Sequence, residues 1–146
     1  MTQAIPYLGF DGNCAEAMRY YERVLGLGAK VELMVSGADT PMAEQIPKEQ
    51  RHRIMHARLG FTDGSQIYAG DAPANVPYGG MKGITLTMNY PTVAEAERVF
   101  NALADGGNVT MPMQPAFWAE QFAMLTDRFG TPWIINGNVR DDYRTK

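Results

Sequence analysis

Two histidines stand four residues apart in the stretch HRIMH, His52 and His56. On a helix that spacing turns both imidazoles to one side, where they could share a metal ion. On a strand it separates them by roughly 13 Å, at about 3.3 Å per residue. Met55, Ala57, Leu59 and Phe61 alternate with polar or small neighbours, which is the period of a strand. The two histidines are therefore not a ligand pair. His56 instead shares a face with Arg58, opposite the apolar residues. Two readings of it stay open: a half-buried, hydrogen-bonded histidine of the scaffold, or a ligand contact or acid–base catalyst. Cys14 falls in the first turn of a helix, where the macrodipole can lower a thiol's pKa. No histidine or asparagine is tied to it, so a small buried residue is the simpler account. YGGMKG lacks the spacing and the Ser or Thr of a P-loop. Phe117, Trp118 and Phe122 follow a loop marked by Pro112 and Pro115. They suit core packing or the wall of a binding cavity, with the indole N–H as a donor.

These residues need elements to hold them, and the elements are written twice. NCAEAMRYYERVLG, from Asn13, aligns with TVAEAERVFNALAD, from Thr92. Asn13 falls on Thr92, Glu16 on Glu95 and Arg19 on Arg98. Each copy opens with a capping residue followed three places later by glutamate, the pattern of a capping box. Behind each cap runs an amphipathic helix, expected over Ala15–Leu25 and Val93–Ala104, with glycines closing both. IPYLGF and ITLTMNY precede the two helices as alternating strands. IMHARLGFTDGSQIYAG and EQFAMLTDRFGTPWIING follow them as hairpins, turning at Gly64 and Gly130. AKVELMV and NVTMPM supply one more strand each. The first copy carries a surplus, proline-punctuated segment from Gly37 to Arg53, and such loops are commonly lids or excursions.

Apolar residues make up 45% of the 146-residue chain, charged residues 20%, and the net charge is −3. That is globular composition with no electrostatic footprint for nucleic acid. No apolar run is long enough to span a membrane, and no signal peptide opens the chain. With a single cysteine there is no internal disulfide, in keeping with a cytoplasmic setting.

The expected fold is α+β: two βαβββ modules forming a curved mixed sheet around a cleft, with helices outside. One domain covers residues 1–146, with module one at about 4–72, a linker at about 73–82 and module two at about 83–138. The polar parity of each strand lines the inward face with Tyr7, His56, Arg58, Tyr68, Thr85, Thr87, Asn89, Phe122, Met124 and Asn136. Such a cleft suits a small organic ligand.

The doubled βαβββ plan and the helix wording YYERVLG resemble the vicinal oxygen chelate superfamily of glyoxalases, dioxygenases and bleomycin-resistance proteins. PYLGFDGN, IMHARL, PAFWAEQFAMLTDRFGTPW and INGN resemble its PhnB-like branch. That resemblance implies a homodimer, and it places the superfamily's four metal ligands at Ile5, Tyr68, Thr85 and Ile134. None of the four, nor any immediate neighbour, is a carboxylate, imidazole or amide. A lone phenol or threonine oxygen does not hold a divalent cation firmly. Branch members have carried a methyltransferase label, but no glycine-rich loop for a methyl donor follows a strand here. The expected function is a metal-free small-molecule binding protein with no cofactor. Its expected contacts are Tyr7, His56, Arg58, Tyr68, Thr85, Thr87, Phe117, Trp118, Phe122 and Met124. The alternatives are a glyoxalase- or dioxygenase-like metalloenzyme with an atypical site, and a metal-independent enzyme using His56.

Overall fold

Strand, helix and three further strands occur twice in the computed structural model, which describes residues 2–140. The chain divides into two compact units, Met1–Gly80 and Met81–Lys146. The class is α+β, and the strands are hydrogen-bonded as two four-stranded mixed sheets, one in each unit.

The first unit runs β1 (Tyr7–Phe10), α1 (Cys14–Val24), β2 (Lys30–Ser36), β3 (Ile54–Gly60) and β4 (Gln66–Asp71). Its sheet order is β1-β4-β3-β2, with β1 parallel to β4 and the other pairs antiparallel. One face of α1 buries Cys14, Ala17, Met18 and Tyr21. Leu8, Phe10, Ala57, Leu59, Ile67 and Ala69, one parity of the sheet, are buried as well. Each fully buried large side chain of such a layer contributes about 1.5–3 kcal/mol. That layer leaves the opposite parity for other work.

Two local expectations are corrected here. The Asn13 side chain makes no capping bond. Asp71, at the end of β4, takes that place: its Oδ1 accepts from Gly12 N at 2.7 Å and Cys14 N at 3.1 Å, and its Oδ2 from Ile54 N at 2.7 Å. A full negative charge at a helix N-terminus is a better partner than a neutral amide. The alternation of β3 also breaks. Val35 pairs with His56 but Ser36 with Ile54, so Met55 is a bulged residue. Met55 is consequently 48% exposed while Ile54 is buried, the reverse of the expected parity. Between β2 and β3, the surplus segment folds into three short 3-10 turns, Gly37–Asp39, Ala43–Gln45 and Lys48–Gln50.

The second unit runs β5 (Leu86–Tyr90), α2 (Val93–Ala104), β6 (Asn108–Gln114), β7 (Ala119–Thr126) and β8 (Pro132–Val139), with sheet order β5-β8-β7-β6. Thr92 caps α2, accepting from Glu95 N at 3.2 Å. The first strand is shorter than expected: Ile84 lies before it and is 65% exposed. Helix α2 lies close on β8 at Gly137, where a Cβ would stand 3.0 Å from both Ala96 Cβ and Val93 Cα. Beyond β7, Asp127 is buried rather than an ordinary turn charge. Its Oδ1 accepts from Phe129 N and Thr131 N, and its Oδ2 from the Trp133 indole at 2.9 Å.

Candidate functional site

The first unit gathers Tyr7, His56, Arg58 and Tyr68 on the sheet face opposite the buried apolar layer. Register explains the grouping. Tyr7 lies beside Tyr68 across the β1–β4 pair, and Arg58 beside Tyr68 across the β3–β4 pair. Tyr7 stacks on the imidazole of His56, with ring centroids 5.8 Å apart and planes 22° from parallel. Tyr68 meets the same imidazole edge-on at 5.0 Å, and the Arg58 guanidinium sits 4.9 Å from the Tyr68 ring centroid. Tyr7 reaches across by leaning over Gly70, where any Cβ would meet its hydroxyl, and donates to Met55 O at 3.3 Å.

The electrostatics of this cluster are specific. Arg58 Nε donates to His56 Nε2 at 3.0 Å, which makes the imidazole the neutral Nδ1–H tautomer. Burial and then the Arg58 charge lower the His56 pKa from its ordinary value, so the neutral form holds at neutral pH. The imidazole's lone pair is thereby used, and its remaining polar group is a donor. Among the described residues nothing accepts from His56 Nδ1 or from the terminal nitrogens of Arg58. The face therefore presents N–H donors flanked by two phenol rings. Leu33 and Val35 pair with Arg58 and His56 across β2–β3 and share this face. Sequence reasoning missed both, because a bulge between Val31 and Leu33 shifts the parity of β2.

Other candidates separate from this cluster. His52 is exposed and lies before β3. The Cys14 thiol is buried, and burial together with the Asp71 carboxylate pushes its pKa up to about 12, which keeps it an inert thiol. Among the described residues no group of three or more His, Cys, Asp or Glu could hold a metal ion.

The second unit carries its own cluster. The Trp118 ring lies 4.9 Å from Phe117 and 4.7 Å from Phe122. Its indole N–H donates to Asn136 Oδ1 at 3.1 Å, and Asn136 Nδ2 donates to Asn89 Oδ1 at 3.0 Å. The expected indole donor is thus engaged within the protein. Phe122 is 8% exposed, and Met124 pairs with Met111 and Ile134. Thr87 lies opposite Ile134 on β5 and is exposed. Thr85 precedes that strand and is exposed too.

Two mixed sheets, each with one helix and each opened by a parallel strand, define a doubled βαβββ protein. The sequence profile of the Glyoxalase/Bleomycin resistance protein/Dioxygenase superfamily matches residues 5–135, and the chain belongs to that superfamily. Protein YjdN of Escherichia coli (strain K12) is 38% identical over 141 residues, covering 90% of this chain and 92% of YjdN. The crystal structure of PA1353 from Pseudomonas aeruginosa shares 43% identity with a TM-score of 0.85, covering 94% of this chain and 98% of that one. The PhnB protein of Bacillus cereus, at 20% identity and a TM-score of 0.75, covers 92% of this chain and 98% of its own. That last likeness is one of fold.

Proposed function

We propose that this protein binds a small, planar, anionic molecule, without a metal ion, on the sheet face of its first unit. The observation that carries the reading is the Arg58–His56 hydrogen bond. It spends the imidazole lone pair and leaves two separate sets of donors on the face, His56 Nδ1–H on the far side of the ring and the Arg58 terminal nitrogens on the near side. A carboxylate matches donors of that kind, and the Tyr7 and Tyr68 rings offer flat contact to the group that bears it. A base needs a free lone pair on its own nitrogen, so this arrangement favours binding over acid–base catalysis by His56.

By resemblance, the superfamily's ligand positions fall on Ile5, Tyr68, Thr85 and Ile134, a donor set that does not fit a divalent cation. The second unit is read by itself. There Phe117, and in part Trp118 and Met124, offer apolar surface backed by the buried Phe122, and the exposed Thr85 and Thr87 offer hydroxyls. Homodimer formation is part of the same reading and rests on resemblance to the superfamily; light scattering tests it, with a monomer at micromolar concentration counting against it. Among the described residues no helix is long and apolar enough to cross a membrane; the cytoplasmic setting is proposed from the single cysteine.

Titration with 2-naphthoate, a planar carboxylate, tests the site. The ring resonances of His56, Tyr7 and Tyr68 should shift together and saturate. Shifts confined to other residues would overturn the assignment. Elemental analysis supplies the second half: one equivalent of tightly bound nickel, zinc, iron or manganese would move the reading to a metalloenzyme.

A further inference from the structure

The surplus segment between β2 and β3 encloses, with the ends of β3 and β4, a cavity of about 560 Å³. That volume lies within the roughly 300–1,000 Å³ typical of small-molecule sites. Met42, Ile46 and Pro47 of the segment line it, together with Ile54, Met55 and Pro73, so its wall is mainly apolar. Met42 and Met55 are about half exposed, at 52% and 48%. Unbranched thioethers in that position make an adaptable contact surface. The bulge in β3 is what turns Met55 outward.

The polar groups of the wall fall into two kinds. The charged ones are satisfied: Arg53 Nε donates to Ala72 O and its Nη2 to Asp11, while Asp71 accepts three backbone N–H groups. Among the uncharged ones, Gln45, Gln50 and Asn75, Gln50 holds the buried exception. Gln50 Oε1 is shielded from solvent, and no donor among the described residues reaches it. A buried acceptor left unpaired is costly, and native proteins rarely keep one without a reason.

We propose that this cavity is a second binding site, taking a small, neutral, largely apolar molecule that presents one hydroxyl or N–H to Gln50 Oε1. Neutrality follows from the satisfied charges, since Arg53 and Asp71 leave no strong demand for a counter-ion. The polar handle follows from Gln50, whose Oε1 is the buried acceptor left unpaired. The site lies apart from the donors of His56 and Arg58, and its ligand is of the opposite character.

N-phenyl-1-naphthylamine is a suitable probe: neutral, apolar, with one N–H, and fluorescent in apolar surroundings. Titrated into the full chain it should bind saturably. The ε-methyl resonances of Met42 and Met55 should shift, and those of Met111 and Met124 should not. Gln50→Leu should weaken the probe about tenfold, the size of one hydrogen bond to an otherwise unpaired acceptor. The same variant should bind 1-phenoxynaphthalene, which lacks the N–H, as the parent protein does. Ile46→Trp should fill the cavity and abolish binding, with circular dichroism checking its fold. Non-saturable binding, shifts at methionines other than Met42 and Met55, or equal probe affinity in Gln50→Leu would each overturn the proposal. The methyl map needs no variant, so a misfolded substitution leaves it standing as a test. The two sites fail separately, because 2-naphthoate reports on the sheet face and this probe on the cavity.

Discussion

Gly70→Ala puts a methyl group where the Tyr7 hydroxyl now lies. The new Cβ would stand 2.5 Å from that oxygen, 3.1 Å from Met55 O and 3.4 Å from Ile54 O. The first contact is impossible, but Tyr7 sits on an edge strand and is 55% exposed, so it can swing away. In doing so it gives up its bond to Met55 O and its stack on His56. The two carbonyl contacts are backbone and yield less. Overpacking of this kind costs about 1–3 kcal/mol, and exchanging a strand glycine for alanine returns about 0.5–1 kcal/mol. The net expectation is a loss of about 0.5–2 kcal/mol. In a Tyr7→Ala background the shortest contact is gone while those with Met55 O and Ile54 O remain, so the same substitution should cost about 1 kcal/mol less than in the parent. Urea unfolding of the parent, both single variants and the double variant yields the coupling directly, expected at about 1 kcal/mol. Additive effects, agreeing within about 0.3 kcal/mol, would refute the claim that Gly70 exists to admit the Tyr7 ring.

Further expectations concern the scaffold and its pH response. Asp127→Ala leaves two buried amides and the Trp133 indole without their acceptor; thermal and urea unfolding should show a loss of about 3 kcal/mol or more, and a loss under 1 kcal/mol would contradict it. Gly137→Ala presses a Cβ against Ala96 and Val93 of α2 and should destabilise by about 1–3 kcal/mol in the same assay, with no change meaning that the helix is free to shift. His56 has a folded pKa below its unfolded one, so the unfolded chain takes up the proton first. Its contribution is fully present above the unfolded value of about 6.5 and is lost as pH falls from there through the folded pKa. Urea midpoints measured from about pH 8 to 5 should fall less steeply in His56→Gln than in the parent, and identical slopes would count against the assignment.

What was legible in the sequence was what is encoded locally. Helix α2 covers the expected Val93–Ala104, and the hairpins turn at Gly64 and Gly130, because periodicity and turn chemistry act within a few residues. The cluster of Tyr7, His56, Arg58 and Tyr68 was legible too, since strand parity alone puts them opposite the buried layer. Long-range partners were not. The cap of α1 comes from Asp71, 57 residues beyond Cys14, and no local spacing announces it. The bulge at Met55 depends on how β2 pairs with β3, so the parity error could not be seen in β3 alone. Trp118 gives its donor to Asn136, 18 residues away, which only the folded sheet brings near. The cavity under the surplus segment likewise depends on the path of the chain through three short turns, where polar composition suggested only a loop.

The most direct test of the central claim is calorimetric titration of 2-naphthoate into protein dialysed against a chelator, compared with Arg58→Met under the same conditions. Arg58 brings the charged donors of the face and orients His56 through Nε2. A hydrogen bond to a charged group is worth about 1.5–3 kcal/mol, so its loss should weaken binding by about tenfold or more. Saturable, metal-independent binding that falls by that factor in the variant is the predicted result. Binding that needs an added divalent metal, or that is indifferent to Arg58, would contradict the account.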